Sequence, residues 1–258
     1  MVTPGVRIGT AGWSIPRAAA GRFPPQGSGL ERYAAVFDAV EINSTFYRSH
    51  RPATFARWAE RTPAGFAFSV KLPRAITHEA RLVEAAGLFG RFLSELEPLR
   101  AKLAVLLVQL PPSLAFDAAV ARAFFDAARQ QEPGLPIVCE PRHASWFSPE
   151  ADALLADFRI ARVAADPALV PPAGEPGGWP GLGYFRLHGS PRMYRSAYGP
   201  GAVARLAERL RRLPAGEAWC IFDNTASGAA AADALDLAER LARPAARAIT
   251  PCRPSPGC

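Results

Sequence analysis

The sequence predicts one α/β domain, a single (β/α)8 TIM-type barrel in which a Pro- and Gly-rich loop replaces the sixth helix. Three observations lead there. Eight short apolar segments recur along the 258 residues at a mean spacing of about 32, the length of one strand–helix unit. Helix-spaced apolar stripes lie between most of them, and strands alternating with helices make parallel sheets. The total length suits one barrel.

The strand candidates are Arg7–Gly12, Ala39–Tyr47, Phe66–Leu72, Leu103–Leu110, Ile137–Arg142, Arg159–Asp166, Gly183–His188 and Ala218–Asn224. Each is too short for a typical helix, and most are flanked by Gly, Pro or a polar cluster. Helical stripes follow from Leu82, Leu88, Phe89, Phe92, Leu93 and Leu96, and from Val120, Phe124, Phe125 and Ala128. Leu206, Leu210 and Leu213 form a third, and Leu235, Leu237, Ala238 and Leu241 a fourth. Pro167–Leu182 has no helical period and reads as a long loop, the kind that often carries function. The barrel is expected over residues 1–245, with a disordered tail over 246–258.

No apolar run is long enough for a membrane span, and the N-terminal residues lack the apolar core of a secretory signal. A cytoplasmic protein with no membrane partner is expected. The net charge of +7 invites a nucleic-acid reading. However, Lys71 and Lys102 are the only lysines against 28 arginines, and the arginines form no basic run interleaved with aromatics. A whole-chain compositional bias with solvated helix faces, as at Arg205, Arg209, Arg211 and Arg212, is the preferred explanation. Cys139 and Cys220 fall in strand candidates, Cys252 and Cys258 in the tail, and no CxxC spacing occurs. Neither a zinc knuckle nor a redox pair is supported.

Alternation along the strands supplies the functional reading. Glu41, Asn43, Thr45 and Tyr47 share one face of the second strand, and Ser69 and Lys71 one face of the third. Val138, Glu140 and Arg142 share a face of the fifth, and Tyr184, Arg186 and His188 a face of the seventh. The opposite, apolar faces must pack on the helices. The polar parity therefore points inward, with its charges toward the C-terminal mouth, where sites in this fold sit. The expected lining is Glu41, Asn43, Lys71, Gln109, Glu140, Arg142, Asp166, Arg186, His188 and Asn224. In the eighth strand Phe222 and Asn224 share a parity, and Asp223 takes the other. A salt-bridge plug of Glu41, Lys71, Glu140 and Arg186 is the competing reading. Such a plug gains little stability over an apolar one, so a functional site is preferred.

In an arginine-rich chain, a lysine at a strand end suggests that its amine is specifically wanted. His188 is a candidate proton carrier. His143 either joins it or holds its own loop, and His78 reads as a helix-start residue. Metal binding by Glu41, Glu140, Asp166 and His188 is disfavoured by the interleaved Lys71, Arg142 and Arg186. No cofactor is expected. These cations, with Ser190, Thr225 and Ser227 near the last two mouth loops, point to a small anionic ligand. Thr225 and Ser227 read equally well as caps of the last helix.

Several runs carry a family resemblance. They are Gly9-Thr10-Ala11-Gly12-Trp13, Val40-Glu41-Ile42-Asn43-Ser44-Thr45-Phe46-Tyr47, Thr62-Pro63 with Phe66 to Lys71, and Ile76-Thr77-His78-Glu79. Gln109-Leu110-Pro111-Pro112, Glu140-Pro141-Arg142-His143-Ala144-Ser145-Trp146, Arg186-Leu187-His188-Gly189 and Asn224-Thr225 complete the set. In this order the chain resembles the YecE-like family, a domain of unknown function, from about residue 7 to 241. The resemblance implies a TIM barrel and delivers no activity. Likeness of such barrels to endonucleases and sugar isomerases implies only an analogy of fold. Ile15 and Ala19 stand where relatives commonly carry aromatics, and Met193-Tyr194 where a Trp-Tyr pair is often seen.

The leading expectation is an enzyme acting on an anionic, phosphorylated or carbohydrate-like substrate by acid–base hydrolysis or isomerisation. Glu41 or Glu140 would be the acid or base, Lys71, Arg142 and Arg186 the anion holders, and His188 the proton shuttle. Trp13, Tyr47, Trp146, Tyr194 and Tyr198 would form apolar walls. An imine at Lys71 is a variant of this reading. A nucleic-acid-binding or processing protein and a non-catalytic ligand-binding barrel are the alternatives. The oligomeric state is left open.

Overall fold

The computed structural model describes residues 5–214 and 216–242. The expected tail over 246–258, with Cys252 and Cys258, lies outside the described residues. The fold is mixed α/β with two largely parallel sheets. One runs β1 (Gly5–Thr10), β10 (Glu217–Phe222), β9 (Gly183–Leu187), β7 (Ala164–Asp166). The other runs β2 (Ala39–Ile42), β3 (Ala67–Lys71), β4 (Leu103–Gln109), β5 (Ile137–Glu140), β6 (Ile160–Arg162), with the two-residue β8 (Gly177–Gly178) antiparallel at its edge. The helices are α1 (Gly29–Ala34), α2 (Pro52–Glu60), α3 (Ala86–Leu96), α4 (Ala118–Gln131), α5 (Pro149–Asp157), α6 (Pro200–Arg211) and α7 (Ala230–Ala242).

Contrary to the expected closed barrel, neither sheet closes on itself. At one junction β1 and β2 share a single bridge, Ala11 to Glu41. The reason is Tyr33 of α1, whose buried hydroxyl accepts from Thr10 N–H at 2.8 Å and donates to the Ala39 carbonyl at 3.1 Å. A side chain thus stands in for ladder bonds. Gly9 is required beside it, since a Cβ there would lie 2.3 Å from the Ala39 oxygen. At the other junction the chain passes straight from β6 to β7 through Val163, whose N–H goes back to Cys139 O at 2.8 Å. β6 belongs to one sheet and β7 to the other.

Local chemistry sets the helix starts. Ser28 and Glu31 form a reciprocal capping box on α1, Asp117 caps α4, and Ser148 caps α5 with Pro149 following. Helix α3 begins at Ala86, so Leu82 precedes it in a left-handed turn, outside the helix its spacing suggests. No α-helix occurs between β7 and β9; a 3-10 turn over Pro171–Gly174 and β8 fill the connection, as the lack of helical period suggests. The gap leaves a cavity of about 320 Å³ on the outer face of the strands, lined by Ala164, Asp166, Phe185, Leu187, Tyr198 and Leu206 among others.

Two apolar clusters follow from strand alternation. Val40, Ile42, Phe68, Val70, Leu106, Val108, Cys220 and Phe222 pack outward with the helices. Ala39, Ala67, Val105, Leu107, Val138, Ala161, Val163, Tyr184, Trp219 and Ile221 pack together on the inner faces. Above this inner layer the same faces turn polar.

Candidate functional site

Inner-face alternation brings Glu41 from β2, Glu140 from β5 and Arg186 from β9 to one buried point. Arg186 donates to Glu41 through Nε at 2.9 Å and Nη2 at 2.7 Å, to Glu140 through Nη1 at 2.5 Å, and to Asp223 through Nη2 at 3.0 Å. Glu41, Glu140 and Arg186 are at most 1 % exposed. Glu41 also accepts from the Tyr184 hydroxyl at 3.1 Å, and that hydroxyl lies 2.8 Å from Ser69 Oγ. One guanidinium therefore joins carboxylates from three other segments. Burial disfavours its charge, but Glu140, Glu41 and Asp223 outweigh it and hold the Arg186 cation well above its ordinary range.

A second layer sits on the first. His188 places Nδ1 at 3.0 Å from Asp223 and Nε2 at 2.9 Å from Glu140, so any proton the ring carries meets a carboxylate. Arg142 reaches Glu140 at 2.6 Å and His188 Nε2 at 2.9 Å. Burial opposes ionisation of Glu140, yet Arg186, Arg142 and His188 keep it well below the usual carboxylate range. Asp223 is lowered in the same way by Arg186 and His188 against its burial. Tyr194 lies edge-on to His188 at 5.5 Å, in the left-handed backbone region at φ 64°. Such strain costs about 1–2 kcal/mol for a residue with a Cβ and is characteristic of functional loops.

Lys71 ends β3 and is 6 % exposed. Its Nζ lies 4.1 Å over the Phe46 ring. Burial first, then the Arg186 charge, lowers its amine to about 8, against the pull of Glu41, Glu140 and Asp223. The Phe46 ring also takes the edge of His78 at 4.8 Å. His78 lies in a π-turn, Ala75–Glu79, so it is a neighbour of the site and not a helix-start residue. Burial and the Lys71 charge lower its imidazole.

Three buried side-chain polar atoms lack a partner among the described residues: Asn43 Oδ1, Arg142 Nε and Asn224 Oδ1. All three residues follow the C-terminal end of a strand. Since buried polar groups are nearly always paired, these mark where a further partner belongs.

Several expected site residues are placed otherwise. β2 ends at Ile42, because Asn43 turns into a 3-10 helix and Thr45 Oγ1 bonds Ile42 O at 3.1 Å and Lys71 O at 2.6 Å. Tyr47 is consequently 72 % exposed, off the strand face. Asp166 has the parity of Ala164, which packs outward, and it borders the outer cavity with Tyr198. Tyr198 is tied to Gly189 N–H at 2.9 Å. Trp146 is buried in the outer core with Nε1 on Leu114 O at 3.0 Å, so it forms no wall of the mouth. Trp13 packs edge-on against Trp58 of α2 at 5.0 Å and against the outer apolar cluster. Asn224 leans outward, donating to Ser196 O at 2.9 Å and Asp233 at 2.6 Å, while Asp223 takes the inner position. Gln109 has the inner parity and donates to Leu110 O at 2.8 Å. His143 holds its own loop through Ser145. Arg186 has four of its five N–H groups on carboxylates, so it frames the cluster and keeps only one buried Nη1 donor beyond them.

Among the described residues no cluster of three or more His, Cys, Asp and Glu side chains has the spacing of a metal site, and no helix is long and apolar enough to cross a membrane. The Cys139 and Cys220 thiols are buried, and burial pushes both up.

Comparison with known proteins agrees with this architecture. The chain is 38 % identical over 82 residues to UPF0759 protein YecE of Escherichia coli K12, covering 32 % of this chain and 30 % of that one. It is 29 % identical over 154 residues to UPF0759 protein YunF of Bacillus subtilis, covering 56 % and 53 %. The aligned parts thus span under a third of YecE and about half of YunF. A DUF72 family protein from Thermotoga maritima superposes with a TM-score of 0.77 at 26 % identity, over 93 % of this chain and 100 % of that one. One from Enterococcus faecalis gives 0.78 at 23 % identity, over 93 % and 96 %. The family model described as protein of unknown function DUF72 matches residues 7–257, and the chain belongs to that family.

Proposed function

We propose that this DUF72 protein is an enzyme that holds a small anionic substrate, phosphorylated or carbohydrate-like, over the C-terminal ends of its strands. It acts by acid–base hydrolysis or isomerisation. On this reading the two sheets are two walls of one eight-stranded barrel. The Ala11–Glu41 bridge and the unbroken passage from β6 to β7 support that closure. The observation that carries the proposal is the buried, unpartnered Nε donor of Arg142, beside Glu140 and His188; the unpartnered Oδ1 of Asn43, also at a strand end, suits a substrate hydroxyl. Arg142 and Lys71 keep donors for an anion, whereas Arg186 spends four of its five on carboxylates. Asp223 orients His188, which moves protons, and Glu140 serves as an ionised partner and not as an acid.

Calorimetric titration with inorganic phosphate and a panel of sugar phosphates tests this. Binding that Arg142→Gln weakens about tenfold, as loss of a charge-assisted hydrogen bond implies, is the expected result. No binding by any anion at low ionic strength would sink it. The exposed rings of Tyr47 and Tyr194 favour a second reading, stacking on a single-stranded nucleic acid. Oligonucleotide binding that falls steeply with salt, and is lost on replacing both tyrosines, would put that reading first.

A further inference from the structure

The chain's two lysines have opposite surroundings. Lys102 Nζ donates to Ala59 O at 2.5 Å, Thr62 O at 2.5 Å and Thr62 Oγ1 at 2.9 Å. Three converging acceptors suit a compact ammonium and not a planar guanidinium, which explains a lysine there. The Lys71 Nζ makes no hydrogen bond and no ion pair with any described residue, although the side chain is almost buried and three carboxylates lie in the adjoining cluster. Those carboxylates are taken by Arg186, Arg142 and His188. Its contact with the Phe46 face would suit an arginine equally well. Among 28 arginines, a lysine at this strand end is explained by what only lysine offers, a nitrogen that can lose its proton and attack carbon.

We propose that Lys71 is a covalent anchor, its Nζ condensing with the carbonyl carbon of a small anionic aldehyde or ketone to form an imine. This rests on the anion-binding reading of the mouth and narrows its substrate class. The nitrogen lone pair forms the C–N bond while the carbonyl π electrons move to oxygen. One nitrogen proton passes to that oxygen, giving a carbinolamine. Its C–O bond then breaks as the C=N bond forms, and the hydroxyl leaves with the second nitrogen proton as water. Amine plus carbonyl gives imine plus water, and no further reactant is consumed. Burial and the neighbouring Arg186 charge bring the amine to about 8, so a useful fraction is unprotonated near neutrality. Arg142, which pairs with the same Glu140 that acts on Lys71 and has an orphaned Nε, would take the anionic end. Thr45, bonded to the Lys71 carbonyl at 2.6 Å, fixes the backbone from which the amine projects.

The test is reductive trapping of the whole protein with glyoxylate and sodium cyanoborohydride, followed by peptide mapping, with Lys102 as the internal control. Expected are a stable mass gain at Lys71 at least about tenfold faster than at Lys102, and its loss in Lys71→Arg with the melting curve retained. If Lys71→Arg does not fold, competition in the unaltered protein replaces it: inorganic phosphate should slow trapping at Lys71 and leave Lys102 unaffected. No adduct at Lys71, or equal labelling of both lysines, would overturn the proposal. Phosphate binding by calorimetry without trapping rejects the imine and leaves the anion site standing. Rapid trapping at Lys71 that phosphate does not slow keeps the nucleophile but rejects an anionic substrate.

Discussion

The inner faces of the strands carry two different chemistries, one above the other. The lower layer is Ala39, Ala67, Val105, Leu107, Val138, Trp219 and Ile221, with the Tyr184 ring stacked on Trp219 at 6.1 Å. The upper layer is Glu41, Glu140, Arg186, His188 and Asp223, each at most 5 % exposed. What separates them is how many partners each side chain needs. The lower residues need volume alone, so loss of one is a local cavity. In the upper layer every carboxylate depends on a cation, so loss of one leaves uncompensated charge. Within that layer Arg186 spends four of its five N–H groups on carboxylates, whereas the adjoining Lys71 Nζ and Arg142 Nε have none of theirs engaged. On the proposed reading, stability and ligand binding rest mainly on different cations of one cluster.

Removing Arg186, the cation shared by three carboxylates, should have the largest effect. Arg186→Met is expected to cost about 3–5 kcal/mol in urea denaturation, because three buried carboxylates lose their shared partner. In the unaltered protein Glu140 and Asp223 sit below their unfolded values, so their stabilisation is full above about pH 4 and is lost as pH falls through the folded values. Without Arg186 less opposes the burial of those groups, so they are lowered less and the variant should lose less stability on acidification. The cost should therefore narrow toward low pH. A pH-independent cost would break the distinction between layers.

Trp219→Ala in the lower layer should cost about 3 kcal/mol with no pH dependence between 5 and 9, and should leave phosphate titrations unchanged. Loss of phosphate binding would mean the layers are coupled. Lys71→Met should move the other way, stabilising by about 1–3 kcal/mol at pH 7 while weakening anion binding. The sign follows from an amine held at about 8 when folded and near 10.4 when unfolded. Stability of the unaltered protein then rises with pH across that window, since the unfolded chain binds more protons there. The facing groups that share this window's electrostatics are Arg186, Glu41, Glu140 and Asp223, with His78 alongside. Lys71→Met should flatten the rise. The smallest effect is expected for Tyr194→Gly, a gain of about 0.5 kcal/mol from relief of the left-handed backbone. Faster modification of His188 by diethylpyrocarbonate would show that the Tyr194 ring shields it.

Both layers were legible in sequence wherever one strand face is plainly apolar. Val40 and Ile42 opposite Glu41, and Phe68 and Val70 opposite Lys71, admit one orientation each. Residues 219–222 are apolar on both parities, so nothing local decides between Asp223 and Asn224; the Trp219 and Ile221 contacts do. Alternation also stops being informative where a strand ends, which is why Asn43 and Tyr47 leave the face that Glu41 holds. Charge misleads as well. Asp166 sits on the outer parity of β6 and β7, where Arg162 is already buried against Asp152 at 2.7 Å. The importance of Phe46 and His78 to Lys71 arises from a 3-10 turn and a π-turn, neither of which has a hydrophobic period.

The Tyr33 hydroxyl between β1 and β2 has an effect on the order of assembly. Because it stands in for ladder bonds, β1 takes its continuous register from β10 alone, from Gly5 opposite Glu217 to Thr10 opposite Phe222. β1 thus waits for the much later β10 to be translated before it is zipped in along its length. Vectorial synthesis can complete β2 through β6 while β1 is still unclasped.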